Sequence, residues 1–302
     1  MPPQVRPYRW PEDFDAVSDF LIATYRPGGR YPNWLQPRWE YMHYHPITDL
    51  SIADRIGIWE DSGKIVAVAN YEHKLGDAYF SVHPDYGRLK PELFDYAEQN
   101  LSRTMDNGRR YLRVHLNDFD TESIAVAKRK GYKMDTHMLE YRTVSQYEMN
   151  RPVPEPILPP GYRLKSLADD NDLVKTDRAL WRGFDHPGEP PADGIEGRRL
   201  MQSTPHYRRD LNIVVEAPNG DFVSYSGIWY VAANRIGYVE PVATDPDYRR
   251  MGLGRAAVLE CVRRCGELGA TVVFVESAQP FYLGIGFEKV FTRPAWVKRF
   301  DQ

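Results

Sequence analysis

Asp245-Pro246-Asp247-Tyr248-Arg249-Arg250-Met251-Gly252-Leu253-Gly254-Arg255 follows directly on an apolar run that ends in Val242-Ala243-Thr244. It opens a helical pattern running from Arg255 to Leu268. A glycine-punctuated turn between a strand and a helix leaves backbone N–H groups unpaired at the helix start. Those groups and the helix dipole favour an anion, most often a phosphate. Gly252 and Gly254 carry no Cβ, so a ligand can approach the backbone there. Arg249, Arg250 and Arg255 add positive charge around the same point. The stretch therefore reads as a cradle for a phosphate-bearing cofactor.

The surrounding pattern fixes the order of elements. Asp172 to Phe184 has an Asp cap and apolar residues at Leu173, Leu180 and Trp181, as a helix requires. Leu211–Glu216 and Phe222–Val231 read as strands joined by an Asn219-Gly220 turn, and Ile236–Thr244 as the next strand. After the glycine turn, Val258, Cys261, Val262, Cys265 and Leu268 line one helix face, and Gly269 ends it. Thr271–Glu276 is a nearly continuous apolar run, as a buried sheet centre needs. A short helix at 280–285 and a final strand at 287–296 complete an α+β order, with antiparallel strands first and a β–α–β unit after them.

The segment Arg151 to Gly161 holds five prolines and reads as a linker. The halves on either side resemble each other. Val82-His83-Pro84-Asp85-Tyr86 corresponds to Thr244-Asp245-Pro246-Asp247-Tyr248, and Lys130-Gly131-Tyr132 to Ile285-Gly286-Phe287. The expectation is a duplicated domain: 1–150, a linker at 151–161, and 162–302. The copies differ where it matters. Lys90 stands at the position of Gly252, Glu92 at that of Gly254 and Ala127 at that of Tyr282. Pro91 removes an amide donor, and a glutamate repels phosphate. The first copy is expected to keep the fold without transfer chemistry, with a plain helix from Pro91 to Leu101.

Composition narrows the class. The 302 residues are 42% hydrophobic and carry a net charge of −3, which argues against a general nucleic-acid or anionic-membrane binder. No run of 18 apolar residues exists and the start lacks a signal-peptide core, so the cytoplasm is the expected compartment. Cys261 and Cys265 sit on one helix face and read as core residues rather than metal ligands. No metal is expected.

The order of elements and two motifs resemble the GCN5-related N-acetyltransferase (GNAT) superfamily. Arg249-Arg250-Met251-Gly252-Leu253-Gly254 is similar to that family's pyrophosphate signature. Phe281-Tyr282-Leu283-Gly284-Ile285-Gly286-Phe287 is similar to its later tyrosine-to-Gly-Phe motif. The resemblance is clear over roughly 162–296, and the duplication resembles the tandem members, a group that includes mycothiol synthases. It implies two tandem domains, each a mixed, mostly antiparallel sheet flanked by helices. It also implies that acetyl-CoA lies along Val242-Ala243-Thr244 with its pyrophosphate on the amides of Arg250 to Arg255, inside the loop Arg249–Arg255. The implied reaction is direct attack of a primary amine on the thioester. Tyr282 would return a proton to the leaving thiolate, Glu240 would act as base, an amide near Val242 would hold the oxyanion, and Ser277 would touch the cofactor. The acceptor stays open between small-molecule and peptide amines, as does the oligomeric state. His186, Trp181, Tyr207 and Tyr230 are further candidates near an acceptor, against ordinary packing or solvation. A non-catalytic acyl-CoA-binding module, or an acyltransferase using a different acyl-CoA, is the alternative.

Overall fold

Strands whose two faces are both covered read as apolar runs, and the chain has two sets of them, each closing its own sheet. The computed structural model describes residues 2–137 and 139–300. The first set contains β1 (Gln4–Pro7), helices α1 (Phe14–Thr24) and α2 (Gln36–Tyr44), then β2 (Gly57–Asp61), β3 (Lys64–Asn70) and β4 (Asp77–Val82). Helix α3 (Lys90–Asn100), β5 (Arg103–Thr104), β6 (Arg110–His115), α4 (Thr121–Arg129) and β7 (Lys133–Asp135) follow. The second set is β8 (Thr143–Glu148), β9 (Arg163–Ser166), α5 (Leu173–Gly183), α6 (Gly194–Gln202), β10 (Asn212–Glu216), β11 (Phe222–Val231) and β12 (Ile236–Thr244). It continues with α7 (Leu253–Glu267), β13 (Val272–Val275), α8 (Pro280–Ile285) and β14 (Glu288–Thr292), and the chain closes on β15 (Ala295–Phe300). Both sheets are mixed and mostly antiparallel and are flanked by helices, as the α+β reading requires.

The strand orders repeat. One sheet runs β1-β2-β3-β4-β6-β15-β7, with β5 attached to β6, and the other runs β9-β10-β11-β12-β13-β8-β14. Position by position these are the same architecture, which bears out the duplication. One strand in each sheet comes from outside its own half. β8 pairs with β13 through Ser145↔Val275 to Glu148↔Val272. β15 pairs with β6 through Ala295↔His115 to Phe300↔Arg110, and with β7.

This corrects the expected boundaries of 1–150 and 162–302. One compact unit is Met1–His43, Ile47–Val144 and Val290–Gln302; the other is Tyr44–Pro46 and Ser145–Lys289. The single final strand expected over 287–296 is two strands that enter different sheets, with Pro294, which has no N–H, between them. The linker 151–161 forms neither helix nor strand, yet Val153 and Leu158 pack on the second unit's core. Extended backbone and burial are compatible, and a proline count speaks only to the first.

Helix α7 shows why the second unit holds together. Val258, Leu259, Cys261, Val262 and Cys265 are fully buried on it, against Leu211, Ile213 and Val215 of the sheet side. Each such side chain contributes roughly 1.5–3 kcal/mol of transfer free energy. Burial pushes both thiols up to about 12, which makes them core groups rather than nucleophiles. No helix among the described residues is long and apolar enough to cross a membrane.

Ala295 of β15 is fully buried in the first unit. Ala295→Asp should therefore cost about 3 kcal/mol. It should speed amide hydrogen exchange over Arg110–His115 while leaving β10 to β12 protected. Faster exchange in β12 instead would contradict the strand assignment.

Candidate functional site

β12 decides the site. Its antiparallel ladder with β11 is broken between Ser226 and Ile228, opposite Glu240 and Pro241. Gly227 sits in that break; a Cβ there would lie 2.8 Å from the Glu240 carbonyl oxygen and 2.7 Å from Asn212 Oδ1. Trp229 Nε1 donates to the same carbonyl at 3.0 Å. On the other side, β12 pairs in parallel with β13 only from Ile236↔Val272 to Tyr238↔Phe274. Beyond Tyr238 the paired register with β13 stops, and Val242, Ala243 and Thr244 pair with no strand on that side among the described residues. An unpaired strand edge offers its amide and carbonyl groups to a ligand.

The turn after β12 is built by capping and by two left-handed residues. Asp245 accepts from its own side of the turn, Asp247 N at 3.1 Å, and Asp245 N donates to Val223 O at 3.0 Å. Arg250 has φ 64° and Gly252 φ 81°. The second suits glycine; the first strains an arginine by on the order of 1 kcal/mol. Gly252 is the N-cap of α7 and supplies no side-chain cap, so the first amides of the helix are left for an outside acceptor. Gly254 lies close to β12: a Cβ on it would stand 2.9 Å from Thr244 Oγ1 and 3.3 Å from the Phe281 ring.

A cavity of about 520 Å3 opens at this junction. Val242, Ala243 and Thr244 line it, as do Arg249, Arg250, Gly252, Leu253, Gly254, Arg255 and Tyr282, so ten of the expected residues meet in one place. Met251 does not line it; its side chain is exposed and its sulfur lies 4.0 Å from Tyr162 Oη. Ser277 is buried, and its hydroxyl accepts from Gln279 N and Nε2 at 3.3 and 3.1 Å, holding the entrance to α8. Glu240 is half-buried on β12, off the cavity wall.

The arginines divide their work. Arg249 donates to Thr244 O and Gly183 O, each at 3.0 Å, and to Asp185 at 2.8 Å. Its guanidinium is thus spent on tying the loop to α5. Arg182 at the end of α5 grips Asp245 at 2.6 and 3.1 Å and Asp247 at 2.6 Å. Arg255 donates to Gly284 O at 3.0 Å. Arg250 makes no side-chain bond among the described residues, so its charge is available at the cavity. Counting arginines in the sequence missed this division, and it also missed Gly183, Gln279 and Phe281 on the wall. Gly183 carries a late signal: a Cβ there would meet Ala243 Cβ at 2.6 Å.

Tyr282 packs edge-on against Phe281 and Phe287, at 4.9 and 5.8 Å between ring centres. Burial first, and the Glu240 carboxylate second, push its phenol well above its ordinary value of 10. It therefore keeps its proton throughout the physiological range. The other candidates lie elsewhere in the unit. Trp181 stacks on His186 at 4.3 Å, and Tyr230 donates to Leu268 O at 2.7 Å. Tyr207 sits edge-on to Trp229 at 6.0 Å and 3.4 Å from the Tyr225 hydroxyl, where burial pushes its phenol up to about 12. None of these four lines the cavity.

Comparison with known proteins bears on this unit first. Residues 178–287 match the acetyltransferase (GNAT) family. The glucosamine 6-phosphate N-acetyltransferase of Trypanosoma brucei brucei is 28% identical over 110 residues, 32% of this chain and 72% of that protein. A GCN5-related N-acetyltransferase structure from Sphaerobacter thermophilus superposes with a TM-score of 0.65 at 16% identity, covering 98% of this chain and 95% of that one. A tandem GNAT protein from the clavulanic acid biosynthesis pathway superposes at 0.63 and 12% identity, covering 98% of each chain. At such identities the two structures attest the fold.

Asp245 is 2% exposed, and its carboxyl is held below the usual 3.8, against the opposing effect of burial, chiefly by the Arg182 bonds. Arg182→Met should destabilise the chain at neutral pH, because it leaves the buried Asp245 carboxylate without its main partner. A depressed carboxylate contributes above its unfolded pKa and stops contributing as pH falls through its folded one. The gap between variant and wild type in urea unfolding should accordingly close below about pH 4.

Proposed function

We propose that the second unit, whose residues 178–287 match the acetyltransferase (GNAT) family, transfers an acetyl group from acetyl-CoA to a primary amine by direct attack on the thioester. The observation that carries this reading is the meeting of three features at one cavity: the open edge Val242–Thr244, the uncapped amides of α7, and the protonated Tyr282.

Each feature has a task. The α7 amides and Arg250 receive the pyrophosphate, since helix-start N–H groups and a nearby guanidinium both favour anionic oxygens. The edge Val242-Ala243-Thr244 pairs with the pantetheine amides. Thr244 contributes less to this than the sequence implies, because its carbonyl already accepts from Arg249. Collapse of the tetrahedral intermediate expels a thiolate, and Tyr282 supplies its proton. The oxyanion is held by an amide near Val242. Glu240 takes the amine's proton, directly or through water; its proximity to Tyr282, felt in the phenol's raised pKa, supports a shared reaction space. Arg249 and Ser277 act one step back, by holding the loop and the α8 entrance in place. The acceptor is a small-molecule or peptide amine. The relative's name points to amino sugars as the first class to try.

An amine library scored by release of free CoA thiol tests the activity and separates an enzyme from a module that only binds acyl-CoA. Gly254→Glu should lower acetyl-CoA affinity by about 100-fold in calorimetry, through repulsion and the clash with Thr244. Tyr282→Phe should reduce kcat by about 10- to 100-fold while leaving cofactor affinity nearly unchanged. Since the phenol's pKa is raised, wild-type kcat should show no tyrosine-dependent fall up to about pH 10.

A further inference from the structure

The first unit has a cavity of its own, of about 350 Å3, at the place that corresponds to the cofactor cleft of the second. Three features set it apart. The turn 84–89 runs straight into α3 with Lys90 as its first residue, and no left-handed residue intervenes. Lys90 Nζ bonds Asp120 Oδ1 at 2.6 Å and Glu122 Oε2 at 2.9 Å, placing two carboxylates where an anion would sit. The edge of β4 is occupied as well: Asn33 accepts from Val82 N at 2.9 Å and donates to Val82 O at 3.2 Å. One side-chain amide thereby satisfies both backbone groups that a pantetheine amide would need.

What is left is an aromatic-walled chamber. Trp34, Tyr79, His115, Phe119, Asn117 and Arg293 line it. Tyr79 and His115 stack at 4.5 Å, and the histidine is held by Asp77 at 2.8 Å. Trp34 is 4% exposed, and its indole N–H has no hydrogen-bond partner. A buried donor left unmatched costs about 1–3 kcal/mol, a cost that a bound acceptor removes. Arg293 brings a buried guanidinium to the same wall, anchored through Nε to Asn117 Oδ1 at 2.8 Å. Asp120 and Glu122 at the rim are offset by Lys90, and Asp77 by Arg113 at 2.5 Å and by His115.

We propose that this cavity binds a compact aromatic monocarboxylate: its ring between the aromatic walls, its carboxylate on the Trp34 indole N–H and the Arg293 guanidinium, with acyl-CoA excluded. A volume near the lower end of ligand sites suits a single ring with one acid group. Aromatic stacking supplies affinity, and the buried donor and cation fix the orientation. The site stands apart from transfer chemistry in the second unit and does not depend on it.

Calorimetry on the full chain tests this with benzoate as probe, benzyl alcohol as its uncharged counterpart, and acetyl-CoA as a control. Benzoate should bind once per chain and more tightly than benzyl alcohol. Trp34→Phe, which keeps a ring and removes the N–H, should weaken benzoate by about tenfold. Val82→Phe, which fills the chamber from another wall, should abolish benzoate binding. Both variants should take up one acetyl-CoA as the wild type does. Absence of benzoate binding at about 10 mM, or equal binding by both variants, would overturn the proposal. So would benzyl alcohol binding as tightly as benzoate, or two acetyl-CoA molecules per chain with one lost in Val82→Phe. Failure of acetyl-CoA to bind anywhere would count against the second unit's function alone.

Discussion

Backbone pairing between β12 and β13 ends at Tyr238↔Phe274, and the second unit is arranged around that stop. Polar backbone is tolerated at an open edge only when something else satisfies it. Every neighbouring device serves the opening. The break opposite Gly227 turns the strand, Trp229 holds the Glu240 carbonyl, and Asp245 starts the turn that lifts the chain onto α7. Arg182 and Arg249 then fasten that turn to the end of α5. The cavity is thus framed by rigid elements, with the loop itself as the part under strain.

The two units show how little is needed to convert such a place. Both have the same strand order and both have a cavity at the corresponding point. Where the second has Gly252 with φ 81° and uncapped amides, the first has Lys90 salt-bridged to two carboxylates. Where the second leaves β12 open, Asn33 closes β4 with one amide group. Where the second presents Tyr282, the first has the fully buried Ala127. Few residues change the sign of the local charge and the state of one strand edge, while the surrounding core is retained.

Local chemistry was the legible part. Glycines before a helix, a capping Asp172 and the alternation along β10 to β12 act over a few residues, and all were readable in order. The helix at Lys90–Asn100 was readable one residue off, from its proline. Arg249 was not: its charge is visible in the sequence, but its partners Gly183 and Asp185 lie 66 and 64 residues away. The exchange of β8 and β15 was not legible either. A periodic pattern says that residues 295–300 form a strand and says nothing about which sheet receives it. Pro294 did carry a signal, since a proline inside an apparent strand marks a boundary.

The order of biosynthesis gives β15 a further meaning. It inserts between β6 and β7, yet it lies at 295–300, after the whole of the second unit. A ribosome delivers the chain from its beginning, so β6 and β7 emerge long before the strand that separates them. The unit that begins first can close its sheet only once residues 295–300 have been made. The second unit takes its outside strand, β8, from sequence already made, and waits only for its own edge strand β14. Domains of a nascent chain generally fold in the order in which they appear; this topology reverses that order. The unit with the open cofactor-like cleft is complete before the unit with the aromatic chamber.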